Sequence, residues 1–199
     1  MQIRNFIQAT EEQLLLYKKV DDKLLHMSEE EFGKESRIIM YRVYPSQQGN
    51  VLMLLHEDHL FGMYFLVEAL ESKLELLQEK YPNITLQESS YVDNFWKAFC
   101  EKQTLSCLLV GSFFCFQVWK MLTRIPEGGL VSYEFIAKAI SRPQAVRAVA
   151  TAVGKNPIVW LIPCHRVVRK NGGLGGYYYG LERKKNLLKM EINPLHNIL

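Results

Sequence analysis

The sequence predicts an α+β protein: a small N-terminal α/β domain built on a β-meander, then a mainly helical C-terminal domain with a helix-turn-helix. Three observations lead there. Short β-rich runs over 38–44, 51–56 and 60–65 are separated by turn-forming Pro45-Ser46-Gln47-Gln48-Gly49-Asn50 and Glu57-Asp58-His59. Beyond Ser112 the apolar residues recur at helical spacing instead. The charge also divides unevenly: residues 1–111 hold 11 Lys/Arg against 17 Asp/Glu, and residues 112–199 hold 13 against 4, so a net +3 conceals −6 and +9. A polyanionic partner is therefore expected for the second half alone.

Residues 1–36 form a charged leader, expected to be a helical N-terminal extension. Thr10 with Gln13, and Ser28 with Glu31, have capping-box spacing, while Leu14, Leu15, Tyr17, Val20, Leu24 and Leu25 line one helical face. Residues 37–105 form the α/β domain. After its meander, Leu70, Leu74 and Leu77 predict a helix over 67–80, which Tyr81-Pro82-Asn83 stops. His56 and His59 flank a turn with no third ligand nearby and read as surface histidines rather than a metal pair. Residues 106–111 are expected to be a linker and 112–199 the second domain. There Phe116, Val118, Trp119 and Leu122 mark a helix ending at Pro126-Glu127-Gly128-Gly129. Ser132 is an N-cap for a short helix over 133–140. Ser141-Arg142-Pro143 then breaks the chain, and a second helix runs over 144–153 until Gly154.

The longest nearly apolar run, Leu105 to Phe116, has 12 residues, short of the roughly 20 that a membrane-spanning helix needs. The first residues do not read as a secretory signal, so a cytoplasmic protein without membrane association is expected. Cys100, Cys107, Cys115 and Cys164 include no C-x-x-C pair, and neither a disulfide framework nor a zinc site is expected.

The second helix of the basic half offers chiefly Gln144 and Arg147 as polar contacts. Its Ala145, Ala148 and Ala152 suit either close approach to a DNA minor groove or close helix packing. Residues 158–168 then deliver Cys164, His165 and Arg166 together. A free thiol is only a few per cent thiolate at neutral pH, so a nucleophilic cysteine needs a base or a positive field. His165 can serve as that base, directly or through a water, and Arg166 favours the anion. A carboxylate to orient the imidazole is available from Glu127, Glu134, Glu182 or Glu191, with Glu191 on the last helix the preferred choice. The competing readings are a buried structural cysteine in a non-catalytic DNA-binding module, and a thiol hydrolase.

The run Ile162-Pro163-Cys164-His165-Arg166-Val167-Val168 resembles the acceptor-site signature of the O6-alkylguanine-DNA alkyltransferases, also called methylated-DNA-protein-cysteine methyltransferases. Phe114 through Trp119, Ile125-Pro126 to Gly128, Val131-Ser132-Tyr133, Ala145 through Val149, Asn156-Pro157, Gly172 through Tyr177 and Gly180 through Lys184 fall in the family's order and cover nearly all of 112–199. The resemblance implies a ribonuclease-H-like N-terminal domain, and irreversible single-turnover transfer of an alkyl group from guanine O6 in duplex DNA to Cys164 after base flipping. It implies a monomer, with no metal and no cofactor.

Carried over residue by residue, the resemblance implies that Arg147 fills the gap left by the flipped base. Tyr133 would crowd the 3′ phosphate and donate to guanine N3. The carbonyls of Cys164 and Val167 would receive the exocyclic amine, and the N–H of Tyr178 would meet O6. Asn156 would brace the active-site turn, while Cys164, a water, His165 and Glu191 would form a proton relay. Gln144, Ala145, Ala148 and Thr151 would belong to the DNA face, and Trp160, Pro163, Val167, Tyr177, Tyr178 and Tyr179 to the base pocket. A cysteine stands where inactive lesion-binding relatives lack one, so transfer is expected rather than sensing alone. Departures from the family are also visible. Tyr178 and Tyr179 would narrow the pocket toward methyl groups; Phe113, Cys115 and Phe116 replace a usual proline and glutamines; and the 36-residue leader lies outside the family's plan.

Overall fold

The computed structural model describes the backbone of residues 7–8 and the whole of residues 23–192. The chain divides into two compact units, one holding most of residues 22–113 with 157–159, the other residues 114–156 and 160 onward with the first strand. The Thr10–Gln13 box and the stripe from Leu14 to Val20 lie outside the described residues.

The first unit is a six-stranded mixed sheet whose strands lie in the order β2 (Leu24–Met27), β7 (Cys107–Val110), β5 (His59–Phe65), β4 (Val51–His56), β3 (Arg37–Tyr44) and β6 (Ile84–Glu88). Its centre is the expected meander, β3 (Arg37–Tyr44), β4 (Val51–His56) and β5 (His59–Phe65), paired antiparallel. Every residue of β4 is buried, so both of its faces are covered. Gly62 is fitted tightly in β5: a Cβ there would lie 2.7 Å from the Tyr64 ring and 3.0 Å from Leu54. The helix α2 (Leu70–Lys80) follows, and Leu77 joins Phe32, Ile39, Leu52, Leu54 and Phe61 in one core, with Leu70 and Leu74 packed at its edge. The unforeseen strand β6 (Ile84–Glu88) runs parallel to β3, and the unforeseen helix α3 (Val92–Cys100) places Trp96 flat against Tyr44 with ring centroids 4.5 Å apart.

Three expectations for this half are corrected. Leu24 and Leu25 do not lie on a helix; they belong to strand β2 (Leu24–Met27), parallel to β7 (Cys107–Val110). Ser28 does cap a helix, accepting from the Glu31 backbone N–H at 3.1 Å, but that helix, α1 (Glu29–Phe32), is one turn long and buries Phe32 in the sheet core. Residues 106–111 are not a linker, because they contain β7, all four residues of which are buried between β2 and β5. A strand covered on both faces reads as a continuous apolar run, and its backbone polar groups need partners on both edges. Only the fold reveals that Leu24–Met27 supplies one of those edges. His56 is likewise buried rather than a surface histidine, accepting from Arg37 at 3.0 Å. Among the described residues no group of three or more His, Cys, Asp or Glu is placed to hold a metal, and no helix is long and apolar enough to cross a membrane.

The second unit is organised by helices and a small parallel sheet in which β1 (Ile7–Gln8) and β9 (Val167–Val168) flank β8 (Gly129–Ser132). Helix α4 (Phe113–Leu122) buries Val118, Trp119 and Leu122, and the Trp119 indole donates to the Ala152 carbonyl at 2.8 Å. Ser132 caps α5 (Tyr133–Ala139) through a 3.1 Å bond from the Phe135 N–H. The break is longer than Ser141-Arg142-Pro143: residues 140–145 turn the chain, with Ser141 at φ +58°, and α6 (Val146–Gly154) starts two residues later than expected, leaving Gln144 and Ala145 in the turn. Residues 158–168 form no long strand; a 3₁₀ turn at Cys164–Arg166 leads into β9. The last helix, α7 (Leu181–Ile192), buries Leu187 and Leu188, the latter packing with Leu130 and Val168.

Leu109 is fully buried in β7. Leu109→Ala should lower the stability of this unit by about 2–5 kcal/mol, read as a reduced denaturant midpoint with an unchanged slope, whereas a truly connecting segment would tolerate the change.

Candidate active site and its neighbours

The site forms where the 3₁₀ turn meets α7. On that helix Lys184, Leu187, Leu188 and Glu191 occupy i, i+3, i+4 and i+7, so one inward stripe carries two leucines and two charged groups. Glu191 is the carboxylate that reaches the imidazole. His165 Nε2 donates to its Oε1 at 2.6 Å, Arg166 Nε donates to the same oxygen at 3.0 Å, and the Gly128 N–H donates to Oε2 at 3.1 Å. Arg166 also donates to the Ile125 carbonyl. Of the other candidate carboxylates, Glu134 pairs with Lys138 and Lys170, and Glu182 pairs with Lys185.

This arrangement sets the proton positions. With Nε2 as donor, the His165 lone pair lies on Nδ1, which is buried and has no hydrogen-bond partner among the described residues. Burial holds the imidazole below its ordinary range, against the pull of Glu191 and with help from the charges of Arg166 and Lys184, so it is neutral near pH 7. Burial alone would push the Glu191 carboxyl up, but the bonds and charges of His165 and Arg166 bring it down to about 2. It is a fixed anion that orients a neutral base.

Cys164 is buried, its N–H bonded to the Ile162 carbonyl at 2.8 Å. The buried Asn156 side chain donates to that same carbonyl at 2.7 Å, so one side chain ties the end of α6 to the residues before the cysteine. Burial pushes the thiol up; Asn156, the charge of Lys184, the local backbone and Tyr177 push it back in part. The resting sulfur is thus a thiol that needs a base. The buried Tyr177 hydroxyl, without a conventional hydrogen-bond partner among the described residues, lies close enough to the sulfur that burial and Cys164 together hold the phenol far above its usual range. Tyr133 is half-buried, raised by burial and by Cys164 and lowered by Arg169. Gly175, at φ +69°, takes a left-handed backbone conformation beside Tyr133, where a Cβ would lie in ordinary contact, 3.4 Å from the ring and hydroxyl.

Pro163 and Val167 are buried on either side of the turn. Tyr179 lies 5.7 Å from the Tyr177 ring and 4.9 Å from Tyr178, which is 67% exposed. Trp160 is half-buried with φ +72°, a strained conformation for an aromatic residue. Arg147, Ala148, Thr151 and Gln144 are exposed, Ala145 is half-buried, and Val149, Ala152 and Val153 face inward. The alanines therefore divide: Ala152 packs, while Ala148 is open.

Lys184 was not singled out from the sequence, although a lysine on the core stripe of an amphipathic helix is a signal. Its side chain is fully buried, and Nζ donates to the carbonyls of Val167 at 2.6 Å, Leu174, and Gly176 at 3.5 Å. Burial lowers its pKa to about 8, opposed by the charge of Cys164. It pins both ends of the 167–176 loop and holds a positive charge near the sulfur.

The family model for the 6-O-methylguanine DNA methyltransferase DNA-binding domain matches residues 114–193. A methylated-DNA-protein-cysteine methyltransferase from Methanosarcina mazei is 36% identical over 162 residues, covering 79% of this chain and 97% of that protein. The bifunctional transcriptional activator/DNA repair enzyme Ada of Escherichia coli is 50% identical over 88 residues, 44% of this chain and 25% of Ada; the chain thus spans about a quarter of the Ada proteins it matches. Among solved structures, Mycobacterium tuberculosis O6-methylguanine methyltransferase aligns with a TM-score of 0.62 at 31% identity, covering 77% of this chain and 93% of that one. The OGT of the same organism in complex with DNA aligns at 0.59 and 30% identity, covering 78% and 92%.

Lys184→Met keeps length and burial but removes the charge. The pH profile of Cys164 alkylation by iodoacetamide should move upward, with a roughly three- to tenfold slower reaction at neutral pH; an unchanged profile would show that this ammonium does not act on the sulfur.

Proposed function

The chain belongs to the methylated-DNA-protein-cysteine methyltransferase family, and on that footing we propose that it repairs duplex DNA by moving an alkyl group from guanine O6 irreversibly onto its own Cys164. The observation that carries this reading is the buried thiol beside a neutral His165, whose Nε2 is held by an ionised Glu191 and whose Nδ1 is left as proton acceptor.

The chemistry balances without an external reagent. Cys164 gives its proton to His165 Nδ1 through one water as Sγ attacks the alkyl carbon. The carbon–sulfur bond forms as the carbon–O6 bond breaks, and the electron pair leaves with guanine. Tyr133 donates a hydrogen bond toward N3 as charge develops there, and the proton held by His165 passes through solvent to the leaving guanine, restoring the neutral imidazole. Alkylated guanine and thiol become guanine and thioether, and the chain is spent after one turnover. Asn156, Arg166 and Lys184 act by positioning the turn and shaping its charge.

Delivery of the base falls to the α5–α6 pair, which we read as a helix-turn-helix; the six-stranded unit is read as the ribonuclease-H-like scaffold. The exposed Arg147, Ala148 and Thr151 on α6, with Gln144 and half-buried Ala145 before it, support docking of a small-faced helix in the minor groove. Arg147 would fill the vacated stack, offsetting a few kcal/mol of lost stacking. The base would then sit among Tyr177, Tyr178, Tyr179, Trp160, Pro163 and Val167.

With duplex DNA labelled on the O6-methyl of guanine, one label per chain should appear on the peptide containing Cys164 and then stop. Cys164→Ala should abolish transfer while retaining duplex binding, and continued turnover or label elsewhere would reject the reading. The tyrosine rings at residues 178 and 179 should make single-turnover transfer from benzylguanine at least about tenfold slower than from methylguanine; equal rates on the two duplexes would remove those rings from selectivity.

A further inference from the structure

Glu134 is a carboxylate of the basic half that transfer chemistry does not use. Glu134, the residue after Tyr133 on α5, places Oε1 3.0 Å from Lys138 Nζ and Oε2 2.9 Å from Lys170 Nζ. The two lysines come from different elements, α5 and the loop after β9, and their side chains are 60% and 79% exposed against 29% for Glu134. The three residues border a cleft of about 470 Å³ that is also lined by Tyr133, Gln144 and Arg169. This cleft wall holds three cations and one anion, and the anion spans two of the cations with two oxygens, as a phosphate's two non-bridging oxygens would.

We propose that Glu134 occupies, in the DNA-free protein, the seat of a duplex phosphate between Lys138 and Lys170, and that DNA takes this seat by displacing it. The proposal rests on the reading that this unit docks on duplex DNA. Exposed ion pairs contribute little and exchange readily, so Glu134 orders the two lysines at low cost before DNA arrives. When a phosphate takes its place, the carboxylate is left beside a second anion without its partners. It therefore weakens sequence-independent binding, and favours release of undamaged DNA during search. The ionised state this requires is favoured by the lysines themselves, whose hydrogen bonds lower the Glu134 carboxyl.

The test is duplex binding by fluorescence anisotropy across a salt series, using unmodified DNA and the full chain. Glu134→Gln should tighten binding about three- to fivefold at low salt, with a steeper salt dependence. The gain should vanish in a Lys138→Ala/Lys170→Ala background. Lys170→Ala alone should cost more affinity in the Glu134→Gln chain than in the parent. Glu182→Gln removes one negative charge from the Glu182–Lys185 pair of the same unit and serves as the control. Equal tightening by Glu182→Gln, or a gain that survives loss of both lysines, would overturn the proposal in favour of a general charge effect. Unchanged affinity of Glu134→Gln in a chain that still labels Cys164 would overturn the proposal and leave the repair reading standing. A parent chain that neither binds duplex nor takes label would overturn both.

Discussion

A largely buried carboxylate with four donors from two separate segments underlies the second unit. Glu191 draws in His165 and Arg166 from the 3₁₀ turn and the Gly128 N–H from the loop before β8. Breaking such a buried pair costs about 3–5 kcal/mol, because the partner charge is left stranded. Here the stranded group would be Arg166, which also carries the Ile125 carbonyl. The same contact selects the imidazole tautomer, so folding and base chemistry share one hydrogen bond.

Lys184 makes a complementary demand three residues before Leu187. A buried ammonium requires acceptors, and it finds them in the carbonyls of Val167, Leu174 and Gly176. The loop leading to Tyr177, Tyr178 and Tyr179 is thereby held by a charge as well as by Leu174, which packs with Leu130, Val168 and Leu188. The cost of burying that charge is set against its field at the sulfur. Cys164 is kept protonated by burial at rest, which protects it from indiscriminate reaction, while Asn156, Lys184 and Tyr177 lower the barrier to ionisation when the base is in place.

Much of this was legible along the chain because it is local. The meander strands, the Ser132 and Ser28 caps, the helix at Leu70–Lys80 and the neighbouring Cys164-His165-Arg166 all follow from alternation, capping and spacing. Glu191 was one of only four carboxylates beyond Ser112, and its place on the last helix made it the preferred choice. What was misread depends on distant partners. Leu24 and Leu25 fit a helical stripe equally well until β7 offers an edge 83 residues away, as in the Leu24 to Cys107 pairing. The apolar run at Cys107–Val110 resembles any buried connection until strands flank it on both sides.

Residue chemistry and short-range order were thus determined by the sequence itself: a cysteine beside a histidine, a Ser-capped helix followed by a second, a positive second half and an acidic first. Tertiary structure alone decided which groups meet. It placed Glu191 on His165 rather than Glu134 or Glu182, turned a polar lysine inward, and assigned Ala152 to packing and Ala148 to the surface. The physical reason is that burial and electrostatic pairing depend on three-dimensional neighbours, and a side chain's chemistry along the chain does not specify which neighbours those will be.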